Sequence, residues 1–396
     1  MSFVYLRRVK SLGAAHLLYL NTVIHSDADK NSTTLRHSGR VLGLGTAGID
    51  YVAMVDHYPS PDDKVRVAAA FQTGGGNVAN TLTAMSRLGV ECELLTKIGQ
   101  DELGSSVLNE LKRDRVGTAR VLRSHGTCTA YTYVIVDKET KTRTCIHTPQ
   151  TEELSSDDVQ DLLETGDICL VHFDSRHTLA ALTLAKIANA KGIPVTVDAE
   201  KNRPPYFEQL LPLCDIIFTN ERFPHLYIQQ QDKSSLTTPA DKIAQLFQST
   251  RANIIVTSLG SKGSRLYLRH VGNNAASIIP SFASASLSTS SRNFAVLHEV
   301  LSTAAKDSKE TLHVTRETHM GYDVMSCPAW PLADEQVVDT TGAGDAFIGG
   351  FLAALIHRMP LDQCLQVGTM CAAQKIKQPG SRKGLPTVNN LKPYKE

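Results

Sequence analysis

The nine residues Asp339-Thr340-Thr341-Gly342-Ala343-Gly344-Asp345-Ala346-Phe347 combine two glycines, two threonines and two carboxylates in a pattern suited to anion chemistry. Val337 and Val338 read as the end of a strand, and the apolar run Ala346 to Ile356 reads as a buried helix, so the glycines sit at a helix N-terminus. Backbone N–H groups there have no intrahelical partner. Gly342 and Gly344, with Ala343 between them, let an anion approach the main chain, and the turn can hold developing negative charge. Asp345 falls in the first turn, where the helix N-terminus favours its ionised form, as a general base requires. The same turn, taken alone, also fits a structural cap.

A second cluster, Gly74-Gly75-Gly76-Asn77-Val78-Ala79-Asn80, precedes a segment with Leu82, Met85 and Leu88 at helical spacing. Asn77 and Asn80 are three apart and share one face of the first turn. Two amides on one face can donate and accept toward sugar hydroxyls at once, although one of them could be only the N-cap. Asp50 lies just past the apolar strand Val41 to Gly45. Further polar residues follow apolar runs: His172, Asp174 and Arg176; Asp198, Glu200 and Lys201; Asn220 and Glu221. Arg176 offers a guanidinium that could grip an anionic substituent. Ser258, Gly260 and Gly263 leave another strand in a glycine turn that permits close approach to a nucleotide, or makes a plain hairpin.

These residues need a frame. Apolar runs of strand length at 92–98, 167–173, 194–198, 214–218 and 253–258 alternate with helix-like segments, which implies right-handed βαβ units. The expected fold class is α/β: a doubly wound, mostly parallel sheet with helices on both faces and ligand sites at the strands' carboxyl ends. Segments 51–72, including the alternation Lys64-Val65-Arg66-Val67, and 127–147 read as exposed hairpins forming a small β-sheet lid over a cleft. The core domain spans 41–387. Residues 1–40 read as an N-terminal extension, either transit peptide or disordered, 271–325 as an insertion, and 388–396 as a tail. Within the insertion, Ser281 to Ser291 resembles a linker and Phe294 to Ala305 an amphipathic helix. Leu361 to Lys377 reads as a packing helix.

Forty-one basic against forty acidic residues give a formal charge of +1, which points to no nucleic-acid partner. Eight cysteines without a C-x-x-C pair fit a reducing intracellular compartment, cytoplasmic or, if residues 1–40 are a transit peptide, a plastid or mitochondrion. No apolar run approaches the roughly 20 residues of a membrane span.

The glycine-asparagine cluster and the Asp339–Asp345 turn, in this order and near opposite ends, resemble the two signatures of the ribokinase-like (PfkB) carbohydrate kinases. His172 to His177, Asp198 to Arg203 and Pro379 to Pro386 most resemble ketohexokinase-like and sulfofructose-kinase-like members. The resemblance implies that Asp50, Asn77 and Asn80 bind substrate hydroxyls, with Gly75 and Gly76 lining the pocket. Asp345 would be the base, and the N–H groups of Gly342, Ala343 and Gly344 would stabilise the transferring phosphoryl group. ATP would lie on Ser258, Gly260, Gly263 and Thr341, with Mg²⁺ and a monovalent cation as further cofactors. The expected acceptor is a small ketose-like or substituted hexose, and the lid strands could pair two subunits. One departure is Phe223, where the family's N-x-x-E pattern has glutamate; either Glu221 substitutes in holding metal, or the metal is held differently, through water. Two other readings are a nucleoside kinase and a catalytically silent, organellar interaction protein.

Overall fold

The computed structural model describes residues 39–140, 142–164, 166–231, 238–270, 312–319 and 321–391. The expectations for most of the N-terminal extension, for Ser281–Ser291 and for Phe294–Ala305 lie outside these residues. The strands are β1 (Arg40–Leu44), β2 (Gly48–Val55), β3 (Ala69–Gly75), β4 (Cys92–Leu95), β5 (Lys97–Gly99), β6 (Leu122–Ser124), β7 (Ala130–Asp137), β8 (Arg143–Thr148), β9 (Ile168–Phe173), β10 (Val195–Ala199), β11 (Ile216–Asn220), β12 (Ile254–Ser258), β13 (Ser264–Arg269), β14 (Thr315–His319) and β15 (Tyr322–Cys327). The main helices are α1 (Asn77–Arg87), α2 (Glu102–Arg113), α3 (Thr178–Ala190), α4 (Phe223–Gln231), α5 (Pro239–Ser249), α6 (Ala343–Ile356) and α7 (Leu361–Lys375).

Among the described residues, nine strands form the central sheet in the order β14-β15-β13-β12-β11-β10-β9-β1-β4. From β4 to β12 neighbouring strands are parallel, and the far edge from β12 to β14 is antiparallel. Successive residues of one strand enter opposite cores. Val41, Leu170 and Phe218 pack under α1, α6 and α7, whereas Leu42, Val171 and Ile217 pack under α3, α4 and α5. Both faces are therefore buried, which is why these strands read as continuous apolar runs. Crossovers α3 and α5 supply apolar stripes for one face, and α1, α6 and α7 supply the other.

The lid is a separate four-stranded sheet, β3-β2-β7-β8, in which the central pair β2 and β7 is parallel. Its strands carry cleft-facing and outward-facing residues in turn, so they show the alternation that the central sheet lacks. Among the described residues no helix is long and apolar enough to cross a membrane.

Several expectations shift. Lys64–Val67 is irregular; the strand that pairs with β2 is Ala69–Gly75, because Asp50, Tyr51 and Val52 bond in register to Thr73, Gln72 and Phe71. Asp50 is accordingly inside lid strand β2 and not at the end of a central strand. Run 92–98 splits at Thr96, and β5 leaves the central sheet to pair with β6. Val337 and Val338 are not a strand; Val338 and Asp339 both donate to the carbonyl of Ile376, tying the turn to the end of α7. The insertion is shorter than expected, since β14 and β15 complete the sheet edge and Leu312 is buried. Val388 and Leu391 are likewise buried in the core, so the tail begins after them.

Small residues let α6 lie close to its neighbours. A Cβ on Gly349 would stand 2.5 Å from the Ala84 side chain and 2.8 Å from the Thr81 carbonyl of α1, and one on Gly350 would meet the Cys371 sulfur of α7 at 2.7 Å. Gly349→Leu should therefore force the helix that carries the turn away from α1, costing about 1–3 kcal/mol by overpacking. A lowered urea midpoint with unchanged slope checks this; an unshifted midpoint would show that the helices give way without strain.

Candidate active site

The lid and the carboxyl ends of the central strands enclose one cavity of about 980 Å³. It runs across the strand ends in sheet order, from Thr46 after β1 through Asp174–Arg176 after β9, Asp198 of β10 with Glu200, Lys201 and Arg203 after it, and Asn220 of β11 to Ser258 of β12. The turn Thr340–Asp345 forms its floor midway, and Asp50, Thr132, Arg143, Cys145 and His147 of the lid form its roof.

Gly342 caps α6 in the left-handed conformation, φ 76°. A side chain there would also strike the carbonyl of Ser381 at 2.7 Å, so both backbone and packing require glycine. A Cβ on Gly344 would meet nothing within 4 Å, which leaves the amide end of the helix open toward the cavity. Below the turn, Asp339 accepts from the amide and hydroxyl of Thr341 and from the amide of Gly380, at 2.8, 2.6 and 2.7 Å. The fully buried ammonium of Lys375 donates to the Asp339 carbonyl at 2.8 Å and to that of Gln378 at 3.2 Å. Above it, Arg143 of β8 donates to the Thr340 hydroxyl at 2.9 Å, so the lid reaches down onto the turn.

Asp345 lies within this turn, buried, accepting from Asn80 Nδ2 at 2.8 Å. The helix terminus does not leave it strongly acidic, as position alone would predict. Burial, opposed by the Asn80 bond and reinforced by Glu200 and Asp50, pushes its carboxyl up to about 7. That value is poised for proton transfer near neutrality.

The glycine-asparagine cluster meets this carboxyl directly. Asn80 also accepts from Arg382 Nε at 2.8 Å, and Arg382, buried to 1% exposure, donates onward to the Gly75 carbonyl at 2.8 Å. Asn77 faces the other way and donates to Asp198 at 2.9 Å and Glu200 at 3.4 Å. Asp50 is buried beside Ser381, whose hydroxyl reaches it at 3.2 Å, and burial raises its carboxyl to about 6. Gly76 lines the cavity, whereas Gly75 stands behind it: a Cβ on Gly75 would overlap the Asp50 carboxylate at 2.3 Å, so its absence makes room for Asp50.

Arg176 lines the cavity as expected, joined by Lys201 and Arg203. Ser258, Gly260 and Gly263 line the β12 end, in a turn that makes the hairpin into β13. Glu221 sits outside the lining, exposed and paired with Lys262 at 3.9 Å. The reason for Phe223 is equally local. Asn220 spends its carbonyl on the amides of Arg222 and Phe223 at the start of α4, and the Phe223 ring is buried, stacked on Tyr227 at 5.4 Å. A carboxylate at that position would be inside the core.

Sequence reasoning overlooked Arg143, Asp198 as a partner of Asn77, Ser381 and Arg382, and the wall Trp330, Pro331, Leu332, Val337 and Ile376 at the β12 end. Only Arg382 had a sequence signal: an arginine inside a glycine-proline segment that ends the domain.

A family model described as pfkB family carbohydrate kinase matches residues 39–289 and 321–388. The chain belongs to this family. It is a sugar kinase, a phosphotransferase with an alcohol group as acceptor. Among curated relatives, this kinase is 22% identical to the ribokinase of Haemophilus influenzae, over 87% of its own length and 94% of that protein's. It is equally 22% identical to an ATP-dependent ribose-1-phosphate kinase of Halopiger xanaduensis, with the same coverage of both chains. The nucleoside kinase of Methanocaldococcus jannaschii is 22% identical, with 89% and 95% covered. Among solved structures, Arabidopsis thaliana ribokinase complexed with ribose and ATP superposes with a TM-score of 0.64 at 18% identity, over 89% of this kinase and 97% of that chain.

Two variants test the network. Arg382→Gln removes the donor that orients Asn80 and leaves the Glu110 ion pair, 3.8 Å away, unmatched. It should lower kcat/KM at least ~10-fold and shift the acid limb of the pH–rate profile, the second readout separating positioning of Asn80 from simple destabilisation. Asp345→Asn should gain stability. A carboxyl raised in the folded state costs stability at high pH, and that cost shrinks as pH falls from about 7 toward the unfolded value of 3.8. The variant's urea midpoint should exceed wild type at pH 8 and converge on it near pH 4; equal midpoints at pH 8 would show that the carboxylate carries no such cost.

Proposed function

We propose that this protein transfers the γ-phosphate of ATP to a primary hydroxyl of a small sugar, ketose-like or a substituted hexose, with Asp345 as general base. The observation that carries the reading is the 2.8 Å bond between Asn80 and Asp345. It supports the reading because it brings a buried carboxylate at a helix N-terminus against an amide suited to polyol hydroxyls, within one cavity. Asp50, Asn77 and Asn80 would orient the sugar, and Asp345 would take the proton as the hydroxyl attacks. The amides at Gly342, Ala343 and Gly344, with Arg143 above them, would receive charge on the transferring group. The glycine turn after Ser258 and the apolar wall around Trp330 suit a nucleotide, with Thr341 beside its phosphates.

Mg²⁺, when bound with ATP, would neutralise phosphate charge. Among the described residues no group of three or more metal-ligating side chains is assembled. Asp198 and Glu200, both cavity-lining oxygen donors, fit a cation held chiefly by phosphates, whereas Glu221 on the rim does not. The monovalent cation finds a rival in Lys375, whose buried ammonium already places positive charge under the turn. Tyr133 and Ile146, 51% and 54% exposed on the outer face of the lid beside Tyr51, support pairing of two subunits there, which the mass in solution would test.

The names of the relatives cover ribose, ribose-1-phosphate and nucleosides. A nucleoside acceptor needs an apolar wall for its base beside Asp50, and the cavity there carries His147, Arg176, Lys201 and Arg203. This favours the sugar. A catalytically silent partner protein has no use for an intact base and anion turn. Coupled ADP release over sugars, sugar acids and nucleosides tests the reading, and turnover restricted to nucleosides would overturn it. With the true acceptor, kcat/KM should fall tenfold per pH unit below about 7 as Asp345 takes up its proton. Asp345→Asn should lose at least ~10²-fold in kcat with ATP binding retained.

A further inference from the structure

We infer that the ammonium of Lys375 is a built-in substitute for the monovalent cation, so that this kinase works without an added one. The inference rests on the sugar-kinase reading and concerns how its anion turn is charged and held.

A monovalent cation under a backbone turn needs carbonyl oxygens that converge on one dry point and replace its hydration shell. Such a point lies beneath the turn, and Lys375 fills it. Lys375 is the last residue of α7, where the negative end of the helix favours a cation, and its side chain is fully buried. Its Nζ donates to the carbonyl of Asp339, which begins the turn, and to that of Gln378, which begins the C-terminal segment, at 2.8 and 3.2 Å. A buried ammonium is tolerated only where oxygen acceptors meet its donors, so the two carbonyls and the charge belong together.

Each polar atom of Asp339 is already engaged within the chain. Its amide donates to the Ile376 carbonyl at 3.1 Å, its carboxylate accepts from the amide and hydroxyl of Thr341 and from the amide of Gly380, and its carbonyl takes Lys375. An added ion would have to displace the ammonium from oxygens that it holds, so the residues present do not fit a separate monovalent cation at this point. The packing keeps the arrangement closed. A Cβ on Gly384 would stand 2.4 Å from the Lys375 carbonyl, so the C-terminal segment folds over the end of α7 because glycine is there.

The charge also bears on the turn itself. In a trans peptide the N–H points opposite to the C=O, so holding the Asp339 carbonyl on Lys375 fixes the Thr340 amide on the other side. Thr340 lines the cavity, and its hydroxyl receives Arg143 from the lid at 2.9 Å, so the turn is gripped by an ammonium below and a guanidinium above. Lys375 is thus a positioning residue that touches no substrate. Burial lowers its ammonium to about 8 against the pull of Asp339, while Arg143 lowers it further and Asp345 raises it. These are the charged groups that face it from the turn, the lid and α6. Charge on Lys375 should support kcat at neutral pH and be lost as pH rises through about 8.

The test uses the full chain in potassium, ammonium or lithium chloride at equal ionic strength, with the acceptor found by ADP release and the ADP measured by chromatography. Wild-type kcat and urea midpoint should be the same in all three salts, with an alkaline limb in kcat near pH 8. Lys375→Ala in lithium chloride should lose at least ~10-fold in kcat with the KM for sugar little changed. Potassium or ammonium should restore its kcat and raise its urea midpoint, and with potassium the limb near pH 8 should vanish, because a metal ion has no proton to lose. Lys375→Met, which fills the same space without charge, should lose kcat and not be restored, a difference that a purely structural lysine would not produce. Activation of the wild-type protein by potassium would overturn the inference without recourse to a variant, and so would Lys375→Ala with full kcat, or with kcat and midpoint indifferent to the salt. If no sugar yields ADP the kinase reading fails, and the salt dependence of the two urea midpoints still decides whether Lys375 stands in a cation site.

Discussion

One buried amide joins the two halves of this site. Asn80 gives its N–H to Asp345 on the anion turn and its carbonyl to Arg382 on the C-terminal segment, at 2.8 Å each. Neither neighbour is satisfied without it. Asp345 would be a buried carboxyl with no donor, and Arg382 would lose one of the few acceptors available to a guanidinium out of contact with water. Because both partners are buried, the bonds act at low effective dielectric, where losing one is expensive. The close approach of α6 to α1 across Gly349 is the packing condition for that amide to reach the turn.

The C-terminal segment works as a clasp around the same point. Gly380 donates to Asp339 under the turn, Ser381 reaches Asp50 and the Gly74 carbonyl, and Arg382 holds Asn80 and the Gly75 carbonyl. Strand β3 with the adjoining helix α1, and the turn far along the chain, are thereby fixed to one short stretch. Lys375 closes the arrangement from below. A side chain held in this way has its rotamer set by its neighbours, which is the condition for positioning to contribute to the proposed catalysis.

The electrostatics of the cavity divide it. Burial raises Asp50, Asp174, Asp198 and Asp345 together, so the centre is less negative near neutrality than its composition indicates. The cations at the β9 and β10 ends and Arg143 over the turn then face each other across that centre. In the proposed reading an acceptor and a phosphate donor would meet between two positive poles, under the lid that carries Arg143 and His147 and would shut out water.

The sequence by itself determined what depends on local chemistry. The glycine turn with Asp345, the Gly75–Asn80 cluster and the apolar runs of the parallel sheet are visible because each needs particular residues at short spacing: φ values open to glycine, amides one helical turn apart, strands buried on both faces. Asp50 was legible as a carboxylate near a strand end, but its strand was not, since register in the lid is chosen by pairing partners, Thr73 and Thr132, that are 23 and 82 residues away. The boundary of the insertion was hidden for a similar reason: Thr315–His319 is wholly exposed and polar, and only pairing with Tyr322–Cys327 makes it a strand. Tertiary structure alone decided the charge state of Asp345, because desolvation by α1, the lid and the clasp outweighs the helix terminus. It alone decided that Glu221 is on the rim and Phe223 in the core, and that Arg176, Lys201, Arg203 and His147 converge. One lies on lid strand β8 and the others in the loops after β9 and β10, and only sheet order and the fold of the lid above it bring them to one place.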